Sequence, residues 1–147
     1  MLKNTDSLVN RFIILLTLLI MGIFHIQTAN ANHQVVAGDF NTCVLDASGV
    51  VCWGSNNEGQ NDVPTTLVNP TQVTAGGQHT CALDASGVLC WGKNFSGQTD
   101  VPTTLVNPTQ VTAGSDHTCA LDDSGVVCWG YNSSGQTNVP TTLVNPT

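Results

Sequence analysis

Six cysteines are the side chains best equipped to do chemistry. They come as three pairs, Cys43 and Cys52, Cys81 and Cys90, and Cys119 and Cys128, with eight residues inside each pair. A thiol pair can close a disulfide, ligate a metal or stay reduced as packing. Zinc ribbons supply ligands as Cys-x-x-Cys, a spacing this chain lacks. The intervening Asp46-Ala47-Ser48-Gly49 has Asp first and Gly fourth, as tight turns favour. If that turn joins two antiparallel strands through an even loop, Cys43 faces Cys52 just as Asp46 faces Gly49, within disulfide reach. A bulge at Gly49 would instead put the two thiols on opposite faces. Disulfides are the expectation; reduced structural thiols and a metal site are the alternatives.

The remaining chemistry-bearing residues favour structural roles. His79 and His117 hold equivalent places, and Asn41 stands at the third such place. General acid–base work would need a nucleophile or acid at a fixed offset, but Thr80 and Thr118 follow the strand alternation to the other face. Each His, and Asn41 in its stead, is expected to hydrogen-bond a loop to a neighbouring repeat. Trp53, Trp91 and Trp129 recur once per repeat, as packing residues do. Asp122-Asp123 does not supply the spaced oxygens of a calcium loop. Asn94-Phe95-Ser96 and Asn132-Ser133-Ser134 are N-glycosylation sequons. With no cofactor motif and no acid–base pair, the chain reads as non-catalytic.

The elements that position these residues are repeats. Gln34–Thr71, Gln72–Thr109 and Gln110–Thr147 are three copies of a unit of 38 residues, without insertion or deletion. That period belongs to solenoids, arrays and propellers. Within the second copy, Gln72–Ala75, His79–Leu83 and Val88–Trp91 read as short strands. Val101–Val106 is a weaker fourth, confined by Pro102 and Pro108 to an edge or a loop. No segment after residue 31 has a helical apolar rhythm. The class is all-β, and three blades of a β-propeller fit better than the short rungs of a β-helix.

The string His79-Thr80-Cys81-Ala82-Leu83, then Gly87, Cys90-Trp91-Gly92, Asn94 and Gly97-Gln98, resembles the repeat of the regulator of chromosome condensation family. More narrowly, it is similar to a secreted bacterial branch with paired cysteines and a Gly-Gln-x-Asp-Val-Pro tail. Where the family often has Leu-Gly after Gly-Gln, this chain has Asn61-Asp62, Thr99-Asp100 and Thr137-Asn138. The resemblance implies a propeller whose closed ring normally has seven blades. Three blades leave the ring incomplete unless copies associate through the open blade edges or the chain is part of a longer protein.

The copies disagree mainly in two places. One is Asp39-Phe40-Asn41, Gly77-Gln78-His79 and Ser115-Asp116-His117; the other is Ser55, Asn57 and Glu58, Lys93, Phe95 and Ser96, and Tyr131, Ser133 and Ser134. In an up-down-up meander both loops emerge at one end of the blade. That rim, with Phe40, Asn57, Glu58, Lys93, Phe95, Asp116 and Tyr131, is the candidate surface for a protein or glycan ligand. An inhibitor of an extracellular enzyme is the alternative use of the same surface.

Composition limits the partners. Of 147 residues 41% are hydrophobic and 9% charged, with a net charge of −7, against about 25% charged in ordinary soluble proteins. Beyond residue 31, Lys93 is the sole Lys or Arg among nine acids, which disfavours nucleic acid and anionic membranes. Residues 1–31 read as a secretory signal peptide: Lys3 and Arg11, an apolar run from Phe12 to Phe24, then Ala29-Asn30-Ala31 before the cut. The run is shorter than the roughly 20 residues of a spanning helix; an uncleaved anchor is the alternative. Either leaves the repeats in a secreted, extracellular or periplasmic setting where cysteines oxidise.

Overall fold

Alternation of side chains across short β-branched strands dictates the architecture. In the computed structural model residues 33–143 are described; the expected signal peptide and the last four residues lie outside them. Nine strands form three separate antiparallel sheets: β1 (Gln34–Ala37), β2 (Asn41–Asp46) and β3 (Gly49–Gly54); β4 (Gln72–Ala75), β5 (His79–Asp84) and β6 (Gly87–Gly92); β7 (Gln110–Ala113), β8 (His117–Asp122) and β9 (Gly125–Gly130). Each sheet is an up-down-up meander with its middle element in chain order at its centre. The described residues contain no helix. The three meanders are blades of an incomplete propeller.

The expected fourth strand is absent. Residues 101–106 form turns, with Leu105 N–H bonded to the Pro102 carbonyl. Pro102 has no N–H to give a ladder, and the segment is spent crossing to the next blade. There, Val106 N–H donates to Asp122 Oδ2 at 2.8 Å, and Val68 N–H does the same to Asp84 Oδ2.

Hairpin register follows from the turn. Asp46 pairs with Gly49 and Cys43 with Cys52, and the equivalent pairings recur in the other blades. Asp46 Oδ1 accepts from both the backbone N–H and the hydroxyl of Ser48, at 2.7 and 2.6 Å. Gly49 completes the turn at φ 115°, a region costly for any residue with a Cβ. The even loop puts the thiols face to face. Disulfides join Cys43–Cys52, Cys81–Cys90 and Cys119–Cys128 across Cα separations of 4.1, 4.0 and 4.0 Å.

The core lies between blades. Cys43 and Leu45 of blade 1 bury against Val73 of blade 2, with Val36, Val50 and Cys52 around them. Cys81 and Leu83 of blade 2 bury in the same way against Val111 of blade 3. The first two disulfides therefore lie on the sheet face on which the next blade sits.

Candidate functional site

One polar relay stitches blade to blade, and it occurs twice. Between blades 1 and 2, Asn41 Nδ2 donates to Thr80 Oγ1 at 3.1 Å, and Thr80 Oγ1 donates to the Gln60 carbonyl at 2.9 Å. Trp91 Nε1 donates to that same carbonyl at 3.0 Å. Between blades 2 and 3, His79 Nε2 lies 3.0 Å from Thr118 Oγ1, which donates to the Gln98 carbonyl alongside Trp129 Nε1. Because the Thr118 hydroxyl spends its hydrogen on Gln98, it accepts from His79, which fixes His79 as the Nε2–H tautomer. Asn41 and His79 thus tie their blades to the next one, each from a strand residue and not from the expected loop. Gln34 Oε1 and Gln72 Oε1 extend the stitch by accepting from Val73 N–H and Val111 N–H, at 2.8 and 2.9 Å.

Burial tunes the histidine. His79 is fully buried, and its pKa is pushed down to about 4, chiefly by desolvation, with the nearby Asp116 charge opposing and His117 and Lys93 adding. Its Nδ1 has no partner. Gly76 lies flat against the ring, so a Cβ there would strike it. These features suit a neutral structural imidazole.

Both ends of the stack repeat this interface without a mate. On blade 1, Trp53 is 51% exposed against 8% for Trp91, and Val35 is 71% exposed against 0% for Val73. No described residue accepts from Trp53 Nε1. On blade 3, Cys119 and Leu121 are half-buried where Cys43 and Leu45 are buried. A cavity of about 370 Å³ opens over Gln110, Thr112, Cys119, Ala120, Leu121 and Val126.

The variable rim sits at one end, where both loops of a blade emerge. Ser55 N–H bonds the Phe40 carbonyl, Lys93 N–H that of Gln78, and Tyr131 N–H that of Asp116, so each pair of loops is joined. Asn56 braces the longer loop by accepting from Asn61 N–H and donating to Asp62 Oδ1. Asn94 and Asn132 do likewise in the other blades, so the sequon asparagines serve as loop braces. Phe40, Phe95 and Tyr131 are all exposed. Lys93 Nζ meets Asp116 Oδ1 at 2.9 Å, across the blade 2–3 seam, and lies 6.0 Å from the Phe95 ring centroid. Asn57 is exposed and Glu58 half-buried, its N–H donating to Gln60 Oε1. No bond joins either to the Lys93–Asp116 pair, so the rim candidates comprise one linked cluster and scattered neighbours.

Sequence reasoning missed the buried glutamines. Gln60 and Gln98 are both fully buried, and their carbonyls are the hubs of the interfaces. Gln98 Nε2 reaches Asp116 Oδ1 at 3.2 Å, whereas Gln60 Nε2 has no partner. The signal was their identity in all three copies, shared within that loop by Asn56, Asn94 and Asn132 and by Gly59, Gly97 and Gly135. Three turn aspartates also titrate low. Asp46 and Asp122 are held down first by the hydroxyls of Ser48 and Ser124. Burial pushes Asp84 up, but the Ser86 hydroxyl and the Val68, Ser86 and Gly87 backbone N–H groups together bring it below the ordinary value. Among the described residues no three His, Cys, Asp or Glu side chains gather as a metal site.

Three-stranded meanders stacked through one repeated interface define a β-propeller repeat protein. The model of the regulator of chromosome condensation (RCC1) repeat matches residues 33–60, 71–98 and 109–136, and the chain belongs to that family. Among solved structures it is similar to the ectodomain of the Physcomitrella patens receptor kinase CR4, with 30% identity and a TM-score of 0.57 over 67% of this chain and 29% of that one. The ectodomain of the Arabidopsis thaliana receptor kinase ACR4 is 27% identical, with a TM-score of 0.54 over 69% of this chain and 37% of that one. Prp20p from Saccharomyces cerevisiae, at 24% identity and a TM-score of 0.60 over 78% of this chain and 34% of that one, shares the fold. The chain therefore spans about a third of the length of these structures. No curated protein matches it significantly.

Proposed function

We propose that the chain is a secreted, non-catalytic binding module whose variable rim engages a protein or glycan ligand. The observation that carries this reading is the set of large aromatics exposed on braced rim loops: Phe95 at 83%, Phe40 at 62% and Tyr131 at 47%. Exposed aromatics on loops held by backbone bonds lose little entropy on binding and make strong anchors. Proteins of this fold bind other proteins: Prp20p was solved with reference to its binding of Gsp1p and histones. Three disulfides favour an oxidising compartment. Residues 1–31 are taken as a cleaved leader and 34–71, 72–109 and 110–147 as the blade units. The open blade edges are taken as surfaces for self-association.

The test immobilises the wild-type protein and a Phe40→Ser, Phe95→Ser, Tyr131→Ser triple variant, and probes both with extracellular protein pools and a glycan array. The expected result is a ligand held by the wild type and weakened at least about tenfold by the triple variant. A variant that keeps every wild-type ligand removes the rim from the account. An exported chain whose mature N-terminus is Asn32 supports the leader; an intact Met1 on the exported protein refutes its cleavage.

A further inference from the structure

We propose that the free face of blade 3 is a socket for the free face of blade 1 on a second copy, and that two copies close head to tail into one ring. This specifies the self-association proposed above and is independent of what the rim binds. Two internal interfaces, already formed, define the chemistry residue by residue. The giving face presents a Gln Oε1, an Asn or His donor, a disulfide with its neighbouring Leu, and a Gln carbonyl. The receiving face presents a Val N–H, a Thr hydroxyl and a Trp indole.

Blade 3 ends in the complete giving set: Gln110, His117, Cys119 with Leu121, and Gln136. Blade 1 starts with the complete receiving set: Val35, Thr42 and Trp53. The two sets lie at opposite ends of one chain, so they cannot both be met by a two-fold contact of like with like. The contact is heterologous and must either close or propagate. One copy has three blades, fewer than the about 4–8 that closed propellers use; two copies give six, inside that range, and three give nine, beyond it. A closed ring of these copies is therefore a dimer, and growth into a filament is the outcome that contradicts it. Charge does not oppose it, because the paired surfaces carry neutral groups: among the named residues only His117 is titratable.

Sedimentation velocity on the oxidised protein across a concentration series tests this. Trp53→Glu spoils the receiving face and Leu121→Glu the giving face; Trp53 is exposed and Leu121 half-buried in the single chain. Circular dichroism and disulfide mapping of each variant check that it folds, and Val35→Glu, at an exposed position within the receiving set, stands in for Trp53→Glu if that chain does not. The wild type is expected to form a dimer without larger species, and each variant alone to raise the dissociation constant at least about tenfold. An equimolar mixture of the two variants, which retains one intact contact per pair, is expected to regain part of the dimer. A wild type that stays monomeric, one that grows beyond a dimer, or a dimer indifferent to Trp53→Glu would each overturn the proposal. The triple rim variant should dimerise like the wild type, which separates this outcome from failure of the rim reading.

Discussion

Replacing one tryptophan at a time with alanine turns the stack into a measurement. Trp91 is 8% exposed beneath blade 1's loop and bonds the Gln60 carbonyl, whereas the equivalent Trp53 is 51% exposed with nothing in front of it. A buried aromatic withdraws up to about 250 Å² from water, so the difference in exposure is worth roughly 100 Å². At about 25 cal/mol per Å² that is roughly 2.5 kcal/mol, and loss of the indole hydrogen bond adds about 1 kcal/mol. The Gln60 carbonyl keeps its bond from Thr80, so it is not orphaned. Trp91→Ala should therefore cost about 3.5 kcal/mol more than Trp53→Ala, with Trp129→Ala resembling Trp91→Ala. Urea unfolding under non-reducing conditions, at concentrations where the chain is monomeric, reads the difference from midpoints at constant slope. Equal costs at positions 53 and 91 would refute the argument that blade 1 covers blade 2.

Two further substitutions move features between copies. His79→Asn places in blade 2 the side chain that blade 1 already uses at Asn41. With its folded pKa near 4 and an ordinary value of 6.5, wild-type His79 favours the folded state fully above pH 6.5. It withdraws that stability as pH falls towards 4, because only the unfolded chain takes up the proton. The span is at most about 3 kcal/mol. The aspartates held low lose their contribution only below about pH 3.8, so the window is separate. Stability of the variant should be nearly flat between pH 6.5 and 4; an unchanged slope would contradict the burial of His79. Gln78→Asp gives blade 2 the carboxylate that Asp116 provides in blade 3, and with it a partner for the orphaned Gln60 Nε2. Unfolding should then require about 1 kcal/mol more, and a destabilised Gln78→Asp chain would show that Gln60 is satisfied in another way.

Much of this was legible because the sequence states its unit three times. Strand positions, hairpin register and cysteine pairing followed from local rules: side-chain alternation, a turn that needs Gly at positive φ, and an even loop. His79 and Asn41 were recognisable as stitches because an imidazole and an amide share hydrogen-bonding capacity and little else. The segment Val101–Val106 misled because its β-branched residues favour strands while Pro102 removes a ladder donor; the prolines decided. Gln60 and Gln98 were hidden for another reason. A buried glutamine whose backbone carbonyl is the functional atom leaves no periodic apolar signal. Its role depends on a partner in the following repeat, 20 residues on for Thr80 and 31 for Trp91. The rim cluster was legible only as variability; that Lys93 pairs with Asp116 across a blade seam is a fact of three-dimensional stacking.

Hydrogen exchange of the three indole N–H groups tests the stacking most directly. In the Leu121→Glu chain, kept monomeric, two indole signals should exchange slowly, those of Trp91 and Trp129, whose N–H groups are bonded to buried carbonyls in front of them. The third, from Trp53, should exchange near the rate of a free side chain. Three equally fast indoles would mean that the blades do not dock through this interface, and three equally slow ones would mean that blade 1 is not an open end.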